Sequence, residues 1–316
     1  MALPTKEFHE LVKQARSGEL YGGCEQREVV WKEYNAALLR QVREILLFIR
    51  DEVDAVKLPD KFVHKGPGRP RTSAHSLAKA VLACEYMHLP ERQAQAWMGL
   101  LGPLLGIKEE LDDWVIGDAY GRPDVQYILN ELFERSKSSD GVLSGDGTHV
   151  EQSRKENYES KKSSATGGWL TTIIDSREFV QAFNDDAHEF EAMLELIPQV
   201  DGDSLRLDAG FLSRDVTNLA SDYGLTPYIH PKSNTSMARD GSASWQHMLL
   251  DFTTDPVLWL FFYHLRSHCE SFHSSYKRCF GHVTKRNDRR KHGQTCARLT
   301  LHNEIKSIYW QNMPAN

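Results

Sequence analysis

The hydrophobic period of the chain changes near residue 141, and that change limits the folds open to it. Before it, "CEQREVVWKEYNAALLRQVREILLFIRDEVD" (24–54) sets apolar residues at helical spacing with charges between them, which predicts an amphipathic helix. Further helical segments are expected at 74–87, 90–103 and 122–137, the last two opened by Pro90 and Pro123. After the change, "GVLSGDGTHV" reads as a strand ending near Asp146. "GGWLTTIID" and "EFVQAFN" read as two more, joined by a tight turn at Asp175, Ser176 and Arg177. "DAHEFEAMLELI" (186–197) is helical, "SLRLDAGF" (204–211) a strand ending at Asp208, 213–223 a helix that Ser213 can cap, and "LTPYIHP" a fifth strand. Three strands, helix, strand, helix, strand, helix is an α/β order, a mixed sheet flanked by helices, preceded here by an all-α N-terminal region.

With 316 residues and 40% hydrophobic content, the chain can bury one large core or two modest ones. The expected division is an N-terminal helical region (1–56), a basic Pro/Gly linker (57–73), a helical DNA-binding region (74–138) and the α/β domain (139–316). The longest apolar run, Val257 to Tyr263, is too short to span a bilayer, and "MALPTKEFHELVKQ" lacks the apolar core of a signal peptide. Five scattered cysteines, an odd number, form no disulfide framework and suit free thiols in a reducing compartment. The expectation is a cytoplasmic, nucleoid-associated protein with no membrane partner.

A net charge of −6 argues against wholesale nucleic-acid binding only if charge is evenly spread. It is not. Between His264 and Arg298 stand Arg266, Lys277, Arg278, Lys285, Arg286, Arg289, Arg290, Lys291 and Arg298 against the acids Glu270 and Asp288. Such a stretch is either a phosphate-binding patch or a solvated basic tail. In "KLPDKFVHKGPGRPRTS", Gly68-Arg69-Pro70-Arg71 resembles an AT-hook arm that sends arginines into a narrow minor groove, and a plain linker reads equally well. Cys279, His282, His292 and Cys296 have spacings that zinc could use, against the simpler reading of half-buried thiols and basic-tail histidines.

"YHLRSHCESFHSSYK" (263–277) carries the chemistry. Asp255-Pro256 starts a helix and Gly281 stops it, so one helix of about 25 residues is expected. Spacings of three, four and seven return Tyr263, Arg266, Glu270 and Lys277 to one face, opposite an apolar face that includes Phe261, Leu265 and Phe272. Taken alone, such a stripe is more often solvated surface. Yet Asp146 ends the first strand, Asp208 ends the fourth and Glu270 lies on the last helix, so the three can converge at one sheet edge. Such carboxylates repel one another unless divalent metal lies between them, and oxygen ligands suit two Mg²⁺ or Mn²⁺ ions.

Three blocks, "GDGTHV" around Asp146, "LRLDAGFLSRD" around Asp208 and the Tyr-x2-Arg-x3-Glu-x6-Lys pattern of the last helix, resemble the insertion-sequence transposases of the DDE type. The resemblance covers about 141–310. It implies a ribonuclease H-like catalytic fold and metal-dependent cleavage at element ends, followed by strand transfer into target DNA. By that resemblance Asp146, Asp208 and Glu270 hold the metals, Tyr263, Arg266 and Lys277 contact phosphates, and an aromatic residue holds a flipped base, with Trp169 and Trp245 as candidates. It also implies double-stranded DNA as partner and a homodimeric synaptic complex. The chain departs from the pattern in leaving room for only a short insertion before Glu270, such as the loop 232–244. Two other classes stay open: a domesticated transposase that binds DNA without cutting, and a ribonuclease H-like nuclease that never joins strands.

Overall fold

The structure is a computed structural model that describes residues 3–21, 30–63, 71–152, 167–238 and 240–313. The first half holds helices α1 (Thr5–Ser17), α2 (Trp31–Ala55), α3 (Ala74–Tyr86), α4 (Glu91–Leu105), α5 (Asp113–Ala119) and α6 (Pro123–Ser136). Then come β1 (Val142–Glu151), β2 (Gly167–Ile174), β3 (Val180–Asn184), α7 (Glu189–Leu196), β4 (Ser204–Leu207), α8 (Arg214–Asp222) and β5 (Thr226–Ile229). Four helices close the chain: α9 (Ala243–Thr254), α10 (Pro256–His264), α11 (Ser267–Phe280) and α12 (Asp288–Asn312). No helix among the described residues is long and apolar enough to cross a membrane.

Two compact units result, and both run across the boundaries expected from sequence. One comprises residues 1–28, 138–149 and 169–275; the other comprises 29–137, 150–168 and 276–316. An amphipathic helix announces that it has a face to bury but not which core will receive it, so α1 could not be assigned from its own residues.

In the first unit the sheet order is β3-β2-β1-β4-β5. Strands β1, β4 and β5 are mutually parallel, while β2 and β3 form an antiparallel pair, so the expected mixed sheet is present. Leu143, Leu205 and Leu207 join Met193 and Leu196 of α7 in the core, and α1 adds Phe8 and Val12. A Cβ at Gly145 would stand 2.7 Å from Leu207 Cδ2 and 2.8 Å from Met193 Cε, so the close approach of α7 to β1 needs a glycine there. Ser213 caps α8 at the Val216 amide and Asp255 caps α10 at the Leu258 amide, as their sequence positions suggested.

The helix expected to run unbroken from Pro256 to Phe280 is two helices. The Arg266 amide bonds back to the Tyr263 carbonyl and the Cys269 amide to the Arg266 carbonyl, each at 3.0 Å, so tight three-residue turns replace the α ladder at the junction.

In the second unit α3 and α12 are central. Every residue from Gly293 to Asn303 is buried, and a Cβ at Gly293 would collide with the Tyr120 carbonyl. The stretch read as a basic patch or tail is therefore partly interior. Arg298 Nε donates to Glu85 at 2.6 Å, and the same carboxylate accepts from the Tyr120 hydroxyl at 2.7 Å and Gln294 Nε2 at 2.9 Å. Lys285 pairs with Glu91 and lies 3.7 Å from the Tyr120 ring centroid. Gln294 Oε1 accepts the amides of Thr284 and Lys285, which ties the segment before α12 to the same network.

Removing one partner of a buried pair strands the other charge, so Glu85→Ala should cost about 3–5 kcal/mol. Arg286 is exposed and has no ion pair among the described residues, so Arg286→Ala should stay within about 0.5 kcal/mol of the parent. Urea unfolding of the two variants checks this, and equal midpoints would show that the network contributes nothing.

Candidate active site

Asp146 and Asp208 owe their adjacency to backbone pairing. Strands β1 and β4 run parallel with Gly145 opposite Leu207; the next residue on β1 is Asp146, and the residue that directly follows β4 is Asp208. The Asp146 side chain is 19% exposed and accepts the Gly147 amide at 3.0 Å. Asp208 is half-exposed and caps a short 3-10 turn by accepting the Gly210 amide at 3.2 Å.

Arg266 lies in the two-residue junction between α10 and α11. Its guanidinium donates to Glu270 Oε1 at 2.7 Å and lies 4.0 Å from Asp208 Oδ1. The third expected carboxylate is thus brought to the second by an arginine. Tyr263 is only 7% exposed, stacked on Trp259 at 5.3 Å, with Arg266 6.0 Å from its ring centroid. Burial pushes its phenol pKa up. Lys277 lies two turns beyond Glu270 on α11, exposed, with no ion pair among the described residues. Arg71 is exposed just before α3, and Arg69 lies outside the described residues.

Two contributors escaped the sequence reading. Glu189 of α7 accepts the Gly147 amide at 3.1 Å, which adds a fourth carboxylate beside Asp146. His273 is buried, with Nε2 3.1 Å from Thr172 Oγ1 and Nδ1 4.0 Å from Asp146 Oδ2. Its position three residues after Glu270, one turn along the same helix, was the available signal. For the aromatic candidates, Trp245 is core, with its indole N–H on the Ser236 carbonyl. Trp169 is 37% exposed between His149 and His188, with ring centroids 6.2 and 5.6 Å away. His149 is three residues from Asp146 on β1, so strand alternation puts this cluster on the opposite sheet face.

Among the described residues no three His, Cys, Asp or Glu side chains are gathered closely enough to form a metal cage. Cys296 Sγ instead donates to Asn130 at 3.3 Å and His282 faces Glu151 at 3.4 Å, apart from any zinc arrangement. In the carboxylate site the donor chemistry fits a divalent cation at Asp146 and Asp208. The Arg266 guanidinium lies between Asp208 and Glu270 and occupies Glu270 Oε1.

No protein-family model, curated protein or solved structure matches the chain.

Burial, with Glu189 and Asp208 adding to it, pushes the Asp146 carboxyl from 3.8 up to about 6, against the opposing Gly147 amide and Arg266. A raised carboxyl pKa means that the folded state keeps a proton the unfolded state has released. Its neutral form stabilises the fold at low pH, and that stability is lost as pH rises through about 6. Asp146→Asn should therefore be more stable than the parent at pH 7 in EDTA by roughly 2–3 kcal/mol, with the difference closing below pH 4. Denaturant titrations across that range check it, and a gap independent of pH would refute it.

Proposed function

We propose that the chain is a DDE-type transposase whose sheet unit is a ribonuclease H-like catalytic domain and whose helical unit serves DNA binding. The observation that carries this reading is the placement of Asp146 and Asp208 directly after the last register pair of β1 and β4, Gly145 and Leu207, in the sheet order β3-β2-β1-β4-β5, with Arg266 bridging Asp208 and Glu270. Double-stranded DNA is the substrate, and cutting two element ends calls for a homodimer.

Asp146 and Asp208 would hold Mg²⁺ or Mn²⁺, which when bound supplies Lewis-acid stabilisation of the phosphodiester and lowers the pKa of an attacking water or 3′-hydroxyl. Arg266 can exchange its bond to Glu270 for a bidentate grip on a phosphate, since the guanidinium fork matches either anion. That exchange frees Glu270 to complete the carboxylate set. Tyr263 packs beneath Arg266 and limits where the guanidinium can swing. Lys277 offers a point charge to the DNA backbone further along α11, and Arg71 another at the start of α3. The pattern Tyr-x2-Arg-x3-Glu-x6-Lys supports a recombinase over a simple nuclease, because it matches in identity and spacing at four positions.

Labelled DNA carrying the sequences that flank the coding region, incubated with Mg²⁺ or Mn²⁺, should be nicked at defined positions and joined to a target plasmid; EDTA should stop both. Asp208→Ala and Glu270→Ala should each lower cleavage by at least about a hundredfold with DNA affinity largely kept. Arg266→Ala should weaken binding and cleavage together. Cleavage that survives Glu270→Ala would sink the assignment, binding without cleavage would favour a DNA-holding protein, and cleavage without joined products a nuclease.

A further inference from the structure

The junction between α10 and α11 leaves several carbonyls without their helical donors, those of Phe262 and Leu265 among them. In a continuous helix the Arg266 amide would serve the Phe262 carbonyl and the Cys269 amide that of Leu265. Both amides turn back to nearer carbonyls instead. The Phe262 carbonyl accepts Arg206 Nε at 2.7 Å. The Leu265 carbonyl accepts the His268 amide at 3.1 Å and the Ser144 hydroxyl at 3.4 Å.

Arg206 is an unusual residue to spend there. It sits on β4, 2% exposed, and no carboxylate among the described residues pairs with it. Its remaining contacts are neutral: Nη1 donates to Ser204 Oγ at 2.9 Å and the Leu143 carbonyl at 3.3 Å, and the guanidinium lies 5.2 Å from the Tyr228 ring centroid. A buried cation with no carboxylate at ion-pair distance is costly, even with the more distant Asp140 favouring its charge, and a charged donor is among the strongest partners a carbonyl can have.

Position explains what the cost secures. Ser144 and Arg206 are register partners on β1 and β4. Asp146 and Asp208 lie two residues further on the same strands, so strand alternation puts all four on one sheet face. One pair of positions holds the helix break; the next presents the carboxylates.

We infer that Arg206, with Ser144 beside it, is a positioning residue that fixes the α10–α11 junction and so sets Arg266 and Glu270 against Asp146 and Asp208. The role in catalysis rests on the transposase reading, whereas the clamp itself does not.

Hydrogen exchange of the full-length protein read by mass spectrometry separates the two. In Arg206→Met, which keeps length but loses every donor, peptides covering 262–270 should exchange at least about tenfold faster, while those covering 169–184 stay within about twofold of the parent. Ser144→Ala should give a smaller change in the same peptides, and it supplies the reading if Arg206→Met does not fold. Arg206→Lys, with one donor group restored, should recover part of the protection. In the cleavage assay Arg206→Met should lower kcat about tenfold or more, with DNA affinity within about threefold, because phosphate-binding groups remain while their alignment is lost. Faster exchange spread equally over both sets of peptides, or an unchanged junction, would overturn the clamp. A loosened junction with unaltered kcat would overturn the positioning role. A parent protein that cleaves no DNA would instead remove the transposase reading and leave the exchange result to decide the clamp on its own.

Discussion

The parallel pairing of β1 with β4 is the constraint on which the candidate site depends. It uses backbone hydrogen bonds and is insensitive to side-chain chemistry, yet its register decides which side chains become neighbours. With Gly145 opposite Leu207, Ser144 meets Arg206 and Asp146 comes level with Asp208. A slip of one residue would turn one strand's carboxylate to the α7 face and break the clamp at the same stroke. Gly145 helps to hold that register, since its missing side chain admits both Leu207 and Met193.

Charge is handled differently in the two units. In the helical unit three basic residues of the C-terminal segment are answered by acids from distant helices: Lys285 by Glu91 of α4, Arg290 by Asp118 of α5 and Arg298 by Glu85 of α3. Lys277, Arg278, Arg286 and Arg289 remain exposed without an ion pair among the described residues. The cationic surface is therefore smaller than the raw count implied, and any salt-dependent DNA affinity from this stretch falls on those four more than on the other five.

The sequence was most informative where the deciding interaction is local. Ser213, Asp255 and the turn at Asp175 are short-range devices whose partners lie within four residues, and each appears where expected. Strand order was legible as far as alternation and helix insertion reach. The break after His264 was not, because it is held by Arg206 and Ser144, roughly 60 and 120 residues away in the chain, and neither carries a helix-breaking signature. Helices α9 and α12 were not foreseen: α9 is short, although Ser242 caps it as plainly as Ser213 caps α8, and α12 is buried on every side over 293–303 and so carries no apolar stripe. Burial of Arg298 was equally invisible, since a lone arginine in a basic run reads as surface until Glu85 is found opposite it.

Within the site the balance of charge is the instructive feature. Asp146, Asp208, Glu270 and Glu189 surround a region where Arg266 supplies a single strong cation, directed at Glu270 and toward Asp208 rather than at Asp146. The uncompensated carboxylate is the most buried of the expected trio, and it is the one whose affinity for a proton rises. On the proposed reading, the proton on Asp146, the Arg266 guanidinium and a divalent metal are three rival cations for one carboxylate cluster. Asp146 would be held ionised by a divalent metal bound there, and Glu270 would be freed where Arg266 grips a phosphate, so the binding of the two would be mutually favourable. On that reading the clamp at Arg206 and Ser144 would keep Glu270 within reach of the site, so the coupling would depend on a buried arginine that pairs with no carboxylate among the described residues.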